Sequence, residues 1–446
     1  MTTKELTQGN PLKLIILFML PMFIGNVFQQ IYNFVDALVV GRVIGLSALA
    51  AVGATTPLIF LVISFIFAST QGFTIVTAQK FGARDYTLMR KSVAASFVLS
   101  GILTIILTLI SAPFSYSLLE FLRTPKDIIM DASSYLFIMF VGIFATVYYN
   151  LSSNIIRALG DSKTPLYFLI FSSFMNIFMD LLFVLKFKWG IEGVGWATVV
   201  AQAISTIMCL IYMFIKFPIL KLTKEDWQIP KSFYAEHLRI GIPMGFQMSI
   251  LSLGIIAVQY VLNGLGSIAI AAFTTAVRVD QLFSQTFLAL GAAIATYTAQ
   301  NYGANKISRI KEGAKSAVSI TVVVSIICAF ILYFFGKPII GVFMSEPNEQ
   351  VLALGQEYLN VVMVSFVFLG LLFVFRNILQ GMGSVIVPLL SGVAELVMRV
   401  LAAFILGHYL GYFGICLATP AAWISAAIVL YIGYKISLHK IKRQSA

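Results

Sequence analysis

Stretches of about 18 or more residues without a charged side chain recur from one end of the sequence to the other. This is the length that an α-helix needs to cross the hydrocarbon core of a bilayer. Short segments with Lys, Arg, Gly and Pro separate the stretches. The pattern predicts twelve transmembrane helices, near residues 14–40, 52–76, 92–118, 131–157, 165–186, 191–216, 237–262, 271–298, 314–336, 351–376, 386–408 and 412–434. We therefore expect an all-α integral membrane protein.

The composition agrees with this interpretation. Of the 446 residues, 59% are hydrophobic and 11% are charged. A soluble domain is about half apolar and about a quarter charged, so that class is excluded. The net charge of +12 would suggest nucleic-acid binding in a soluble chain. In a membrane protein it indicates cytoplasmic loops beside an anionic leaflet, so we expect the lipid bilayer as a partner and no nucleic acid.

The Lys and Arg residues are distributed unequally between the two sets of loops. If both chain ends lie in the cytoplasm, the cytoplasmic segments hold 22 of the 30 basic residues, Arg376 among them, and the opposite face holds six. The positive-inside rule therefore predicts a multi-pass protein of the plasma membrane with both termini cytoplasmic. The apolar run at 14–35 is too long for the core of a signal peptide, so we expect it to remain as the first helix.

Four sequence features recur in the same order at offsets of 221 to 223 residues. They are TAQKFGA (77–83) with TAQNYGA (298–304), NIIRALGDSKTP (154–165) with NILQGMGSVIVP (377–388), GIEGVGWAT (190–198) with GYFGICLAT (411–419), and Pro21 with Pro243. Each repeat holds six spans, so both enter the membrane from the same side. This predicts two pseudo-symmetric six-helix lobes related by an axis along the membrane normal. We place the amino-terminal lobe at 1–220, a cytoplasmic linker at 221–235 and the carboxy-terminal lobe at 236–446.

Two aspartates lie inside apolar stretches, Asp36 in the first helix and Asp180 in the fifth. A carboxylate at the centre of a membrane helix costs roughly 2.5–3.5 kcal/mol on an insertion scale, so a functional role is expected. Asn176 precedes Asp180 by four residues and shares its helical face, and Thr198 lies early in the sixth helix. If these groups converge, their oxygens suit a proton or Na⁺. We predict the coupling site here, and no other metal site.

Other polar and proline positions within the spans have candidate roles. Asn150 and Asn154 repeat the four-residue spacing on the fourth helix, where hydrogen bonding to neighbouring helices is the alternative to a binding role. Glu395 and Arg399 are also four residues apart, which predicts an internal ion pair with a structural role. Pro21 removes a hydrogen bond from the first helix and permits a bend there.

At these positions the sequence resembles the multidrug and toxic compound extrusion (MATE) family, in the bacterial type with an aspartate in the first helix. The segments that carry the resemblance are residues 20–42, AQKFGA with its repeat AQNYGA, NIIRALGDSKTP, and NIFMDLLFV followed by GVGWAT. They extend over essentially the whole chain. The resemblance implies two six-helix lobes that form a V. It also implies export of drugs and organic cations against proton or Na⁺ influx, by alternating access.

The resemblance further implies roles for individual residues, in a cluster within the amino-terminal lobe. The coupling ion is assigned to Asp36, Asp180, Asn176 and Thr198, substrate contacts to Asn150, Asn154, Tyr135 and Gln29, and the helix bend to Pro21. Related branches place a glutamate in the seventh helix and an aspartate in the tenth. Here those spans hold only Glu236 at the edge and Glu357 near the start, so we place coupling in the first lobe.

Two other functions remain open from the sequence. Flippases of the same superfamily carry lipid-linked oligosaccharides, and their cationic cavities suit pyrophosphate; the basic residues within spans here are Arg278 and Arg399. An intramembrane enzyme would need a catalytic motif, and the sequence has no HExxH, GxSxG or P-loop. The three Cys residues share no Cys-x-x-Cys spacing. We expect a monomeric exporter of small organic molecules, not an enzyme, with no cofactor besides the coupling ion.

Overall fold

The structure is a computed structural model, and it describes residues 5–344 and 348–444. Within these ranges the chain is helical and contains no strand. The α-helices are α1 Pro11–Val43, α2 Leu46–Gly82, α3 Tyr86–Ser111, α4 Ser115–Phe121, α5 Ile129–Val141, α6 Ile143–Ala158, α7 Lys163–Leu181, α8 Gly190–Lys216, α9 Lys231–Asn263, α10 Ser267–Gly303, α11 Ile307–Val342, α12 Glu349–Gly381 and α13 Ile386–Gln444.

Twelve helical segments correspond to the twelve predicted spans. Nine helices in the described chain are long and apolar enough to cross a membrane, and the bent pair α5 and α6 forms a tenth span. The helix α13 is two helices joined at Gly411, whose φ of 61° and ψ of −133° are not helical. The helix α9 has an uncharged second half and corresponds to the seventh predicted span. The nine helices, the bent pair, the second part of α13 and α9 together give twelve segments. The prediction of an all-α membrane protein is confirmed.

The fourth span is broken at Gly142, between α5 and α6, with a bend of 44°. A side chain cannot be accommodated there, because a Cβ atom on Gly142 would lie 2.7 Å from Cγ1 of Val199. The break frees carbonyl groups from the helical ladder, and the hydroxyl of Thr108 donates to the carbonyl of Phe140 at 3.2 Å. The close approach of α8 and the bend are thus parts of the same local packing.

The backbone repeats where the sequence repeats. Residues with positive φ recur at the predicted spacing, in the pairs Gly45 and Gly266, Arg84 and Asn305, Gly160 and Gly383, and Gly190 and Gly411. Each pair ends or begins a corresponding helix in the two halves. The left-handed region is costly for residues with a Cβ atom, so its recurrence at matched positions indicates that both halves have the same local architecture.

The described chain forms two compact units, and their bounds differ from the division predicted at 220 and 236. The first unit comprises Glu5 with Ile24–Gly245, and the second comprises Leu6–Phe23 with the described residues from Phe246 onward. The first parts of α1 and α9 therefore each belong to the unit formed by the other half of the sequence. A single boundary in the polar linker divides the chain by sequence order. It therefore cannot show that the first parts of α1 and α9 pack with the opposite half.

The exchange has a clear packing basis. Ile15, Phe18 and Met22 in the first part of α1 are buried in the apolar core of the second unit. In the first unit, α9 approaches α2 so closely that a Cβ atom on Gly72 would lie 2.5 Å from Cα of Gly241. Apolar burial and glycine contacts thus stabilise each segment where it lies.

Candidate functional site

Asp36 of α1 and Asp180 of α7 are brought together in the first unit, close enough for their carboxyl groups to interact directly. Asp180 is only 1% exposed, and Asp36 is half-buried. Two adjacent carboxylates repel each other and can only accept hydrogen bonds, so their proximity favours a proton shared between them. The pair therefore has the geometry of a proton-binding site.

One oxygen of each carboxyl group has no hydrogen-bond partner in the described part of the chain. These atoms are Oδ1 of Asp36 and Oδ1 of Asp180, and both are shielded from solvent. An unpartnered buried oxygen is costly, and such atoms in native proteins call for an explanation such as a functional role or a bound ion. The two free oxygens leave room for a further donor or a small cation at this pair.

Asn176 links the aspartate pair to α8. With its amide nitrogen facing Asp180, it donates to Oδ2 of that residue at 3.2 Å, and its carbonyl oxygen accepts from the backbone N–H of Thr198 at 3.1 Å and from the hydroxyl at 3.3 Å. In this orientation both the nitrogen and the oxygen of the amide have hydrogen-bond partners. The amide is also hydrogen-bonded to the hydroxyl of Tyr32. Three helices thus converge on one polar network.

Two tyrosines stand beside the aspartates. Tyr32 of α1 and Tyr135 of α5 are both close enough to Asp36 and Asp180 to interact electrostatically with them. Tyr135 is buried in the core of the unit. The structure therefore places the predicted residue Tyr135 beside the pair, together with Tyr32, which the sequence analysis did not single out.

A small polar cavity of about 30 Å³ adjoins the network. It is lined by Gln29, Tyr32, Leu169, Ser172, Ser173, Asn176, Thr198 and Gln202. This volume holds one water molecule or a dehydrated small cation, not an organic substrate. Two of its lining residues, Asn176 and Thr198, belong to the network that holds Asp180.

Tyr32, Ser172 and Gln202 are not among the residues predicted from the sequence, but their helical spacing from the predicted site residues could have identified them. Tyr32 lies four residues before Asp36, Ser172 lies four before Asn176, and Gln202 lies four after Thr198. Residues four apart share one helical face, so each predicted site residue indicated a neighbour one turn away. Ser172 and Gln202 also meet directly, with the hydroxyl donating to the amide oxygen at 3.1 Å.

Asn150 and Asn154 are not brought into this network by any hydrogen bond of the described residues. Asn150 donates to the carbonyl of Thr146 at 2.9 Å, and Asn154 accepts from Arg157 at 3.2 Å, so both bonds stay within α6. The amide nitrogen of Asn154 is buried without a partner. Their assignment to substrate binding stays a prediction, and so does that of Gln29, which lines the cavity and donates to Asn33 at 3.2 Å.

Pro21 lies inside α1, which continues through it as one helix. The boundary between the two units falls just after it, between Phe23 and Ile24. Proline lacks the N–H that would close the helical bond to the preceding turn, so this is a weak point of the helix. Its predicted role as a bend stays a prediction.

A family model described as MatE matches the chain twice, over residues 21–182 and 243–405. The chain belongs to the MatE family. Each match covers one of the two repeats, and the two matches keep the spacing of the repeated sequence pairs, which confirms the predicted duplication. The resemblance to the MATE family is confirmed with it.

Relatives and solved structures agree over nearly the whole length. The chain is 30% identical to YpnP, a probable multidrug resistance protein of Bacillus subtilis strain 168, over 98% of this chain and 97% of the relative. It is 23% identical to the multidrug export protein MepA of Staphylococcus haemolyticus strain JCSC1435, over 94% and 92% of the two chains. A crystal structure of MATE in the bent conformation shares the fold, with a TM-score of 0.93 at 24% identity over 100% of this chain and 99% of that one.

The second repeat of this MatE protein carries a buried ion cluster. Glu395 accepts from Arg399 at 2.9 Å, so the predicted pair is confirmed, and it also accepts from Arg376 at 3.0 Å. Arg376 was counted with the cytoplasmic loops, and that assignment is wrong because the residue lies inside α12 and is only 5% exposed. The guanidinium group of Arg376 is compensated by Glu395. Because the two residues lie on different helices, sequence spacing did not predict this ion pair. The asymmetry of basic residues between the loops persists without it.

The same cluster extends towards Asp280 of α10. Asp280 accepts from the hydroxyls of Ser284 at 3.1 Å and Tyr358 at 3.3 Å, and it lies near Arg399. In the described residues, no group of three or more His, Cys, Asp or Glu side chains has the arrangement of a metal site. The two repeats of the MatE fold therefore differ in chemistry: the first holds a pair of acids, and the second holds acids matched by arginines.

Proposed function

We propose that this protein is a cation-coupled antiporter that exports drugs or organic cations by alternating access, with the coupling site at Asp36 and Asp180. The close approach of these two carboxyl groups, each with a buried oxygen that has no partner among the described residues, carries the proposal. The multidrug relatives support the substrate class. Asn176 and Thr198 hold Asp180 in place, so that the pair can alternate between a protonated and a deprotonated state.

We propose the proton, rather than Na⁺, as the coupling ion. A proton shared by Asp36 and Asp180 makes the pair a net single negative charge, and its release leaves two adjacent carboxylates that attract an organic cation. Proton and substrate then compete for the same negative charge, which is the requirement for antiport. Na⁺ would bind at Asp36, Asn176, Asp180 and Thr198 and would need the two free oxygens.

Separate gradients in proteoliposomes test this proposal. We expect a proton gradient to drive the movement of ethidium, a fluorescent organic cation, against its own gradient, and a Na⁺ gradient at equal pH to drive none. The control is a collapsed gradient with an ionophore in the same vesicles. Transport driven only by Na⁺ would reject the proton and favour the four-oxygen site. Equal flux without any gradient would indicate a channel.

Flipping of a lipid-linked substrate is the second candidate. A pyrophosphate group needs uncommitted basic residues, but Arg399 and Arg376 both bind Glu395. Among the described residues this leaves Arg278 as the one basic residue predicted within the spans that lies outside the ion cluster. An intramembrane hydrolase is the third. It would be identified by a cleaved product in place of unchanged exported substrate.

We propose that the protein lies in the plasma membrane with both termini in the cytoplasm. The distribution of basic residues supports this orientation. The native cysteines Cys209, Cys328 and Cys416 are buried and can be replaced by Ala to give a background without thiols.

In that background we expect a cysteine at Thr87 to be protected from an impermeant maleimide applied to intact cells, and a cysteine at Lys126 to react. Both positions are exposed, Thr87 in the first turn of α3 and Lys126 between α4 and α5, so we expect any difference in labelling to report the side of the membrane. Permeabilised cells provide the control, since both positions should react there. The opposite pattern of labelling would reverse the orientation.

A further inference from the structure

A groove of about 750 Å³ lies in the second unit, where the start of α11 meets the ends of α12 and α13. It is lined by Lys311, Ala314, Lys315, Val318, Ser319, Phe375, Tyr431, Tyr434, Lys435, Leu438 and His439. The distribution of basic residues assigns this end of the helices to the cytoplasm. The groove is far larger than the cavity near Asp180 and belongs to neither the coupling site nor the ion cluster.

Basic side chains line two sides of the groove. Lys311 and Lys315 are one turn apart on α11, and Lys435 and His439 are one turn apart on α13, so each pair shares a helical face. The lining contains no Asp or Glu. Through the described ranges, no carboxylate lies within ion-pair distance of these lysines. No carboxylate of the described residues therefore compensates this positive charge.

The floor of the groove is apolar and aromatic. Phe375, Tyr434 and Leu438 are buried beneath it, and Tyr431 lies under the ammonium group of Lys435 at 5.4 Å from the ring centroid. On the same stretch of α13, Ile436 has about half of its surface exposed, as expected for a helix that faces lipid tails. A ligand for this groove needs an anionic group and an apolar body beside it.

The corresponding place in the first repeat is occupied by the chain itself. Arg90 stands 221 residues before Lys311, and its Nε atom binds Oδ2 of Asp226 in the linker at 3.1 Å. Phe217 and Leu220, at the end of α8 and just beyond it, are fully buried in the apolar cluster beside it. The linker thus supplies a carboxylate for the basic residue, and the segment that leads into it supplies buried apolar side chains.

The surroundings of Asp226 keep its carboxylate ionised. Burial alone would raise its pKa, but hydrogen bonds from the backbone N–H and hydroxyl of Thr223 and the contact with Arg90 together hold the pKa below the usual range. A permanent negative charge therefore compensates Arg90 at neutral pH. The second repeat presents more basic residues around a groove of the same kind, without such a segment among its described residues.

We propose that the groove of Lys311, Lys315, Lys435 and His439 binds an anionic phospholipid from the adjacent leaflet. The phosphate lies between the lysines of α11 and α13, and an acyl chain covers Phe375 and Tyr431. Basic pockets between membrane helices at the cytoplasmic side are suited to such head groups. The lipid takes the place that the linker occupies in the first repeat, combining one anionic group with an apolar body.

Native mass spectrometry of the detergent-purified full chain tests this site with phosphatidylglycerol, and with phosphatidylcholine as the neutral comparison. We expect wild-type protein to retain phosphatidylglycerol in preference to phosphatidylcholine. The variant K311Q/K315Q/K435Q should lose about a hundredfold in affinity for phosphatidylglycerol, because each of the three lysines contributes roughly fivefold near an anionic lipid. Unchanged affinity in this variant would overturn the proposal.

The matched control is K221Q/K224Q/K231Q, which removes three exposed lysines of the linker region and should keep wild-type affinity. An equal loss in the control would mean general attraction by net charge and would reject a built site. Thermal unfolding in phosphatidylcholine checks that both variants are folded. The stabilisation on adding phosphatidylglycerol should be reduced only in the groove variant. Equal stabilisation of wild type by inorganic phosphate alone would assign the groove to a soluble anion instead.

Discussion

Proton-driven export of ethidium is expected to fall to the level of protein-free liposomes when Asp36 is replaced by Asn. The amide keeps the size of the side chain but cannot gain or lose a proton, so Asp180 has no second carboxyl group with which to share one, and the two-carboxylate site for the cation is lost. Asp180→Asn should have the same effect, because each carboxyl group is half of one site. The measurement is ethidium transport under an imposed pH gradient in reconstituted vesicles.

The matched control for these variants is Asp127→Asn, which makes the same chemical change at an exposed aspartate outside the network. It should transport at the wild-type rate. Thermal unfolding and membrane insertion of all three variants separate loss of coupling from loss of structure. Wild-type export by the double variant Asp36→Asn/Asp180→Asn would remove the proposed coupling site altogether.

The variant Glu395→Gln is expected to lower the free energy of unfolding by about 3–5 kcal/mol. Glu395 is the acid to which both buried guanidinium groups, those of Arg376 and Arg399, are hydrogen-bonded. Without its charge, two buried cations face each other with little compensation, since Asp280 lies near Arg399 alone. The check is the thermal or denaturant stability of the purified protein in one detergent.

Removing Arg376 as well should restore most of the lost stability, because Arg399 then faces Asp280 without a second cation. Glu349→Gln, at an exposed position in the first turn of α12, serves as the control and should have little effect. If Glu395→Gln were as stable as the wild type but inactive, the cluster would be functional and the structural assignment wrong. A selective loss of stability with normal transport per folded molecule would support it.

Much of the fold followed from local sequence features. Uncharged stretches of membrane length specified the helices, and glycines such as Gly45 and Gly266 ended them at repeated places, because helix length and positive φ depend on neighbouring residues. The site was predictable in part for the same reason. Asp36 and Asp180 were identified because a carboxylate in an apolar membrane segment is unfavourable in free energy. This inference requires no knowledge of the neighbouring helices.

Other parts of the site depended on contacts between distant segments. Tyr32 was one helical turn from a predicted residue, but only the fold shows that it meets Asn176. Asn150 lies four residues before Asn154, as predicted for a shared helical face, yet its side chain donates to the carbonyl of Thr146 in its own helix. Helical spacing specifies which residues share a face and not which helix that face contacts, so spacing alone does not identify partners.

The sequence by itself determined that this chain is a duplicated set of membrane helices with two acids in the first half, because hydrophobic period, repeat spacing and charge are properties of short segments. Only the tertiary structure decided that Leu6–Phe23 packs with the second half, that Arg376 is buried against Glu395, and that the linker fills one groove of a related pair. These features join residues far apart in the chain. Their energies come from packing and charge pairing, which no local pattern contains.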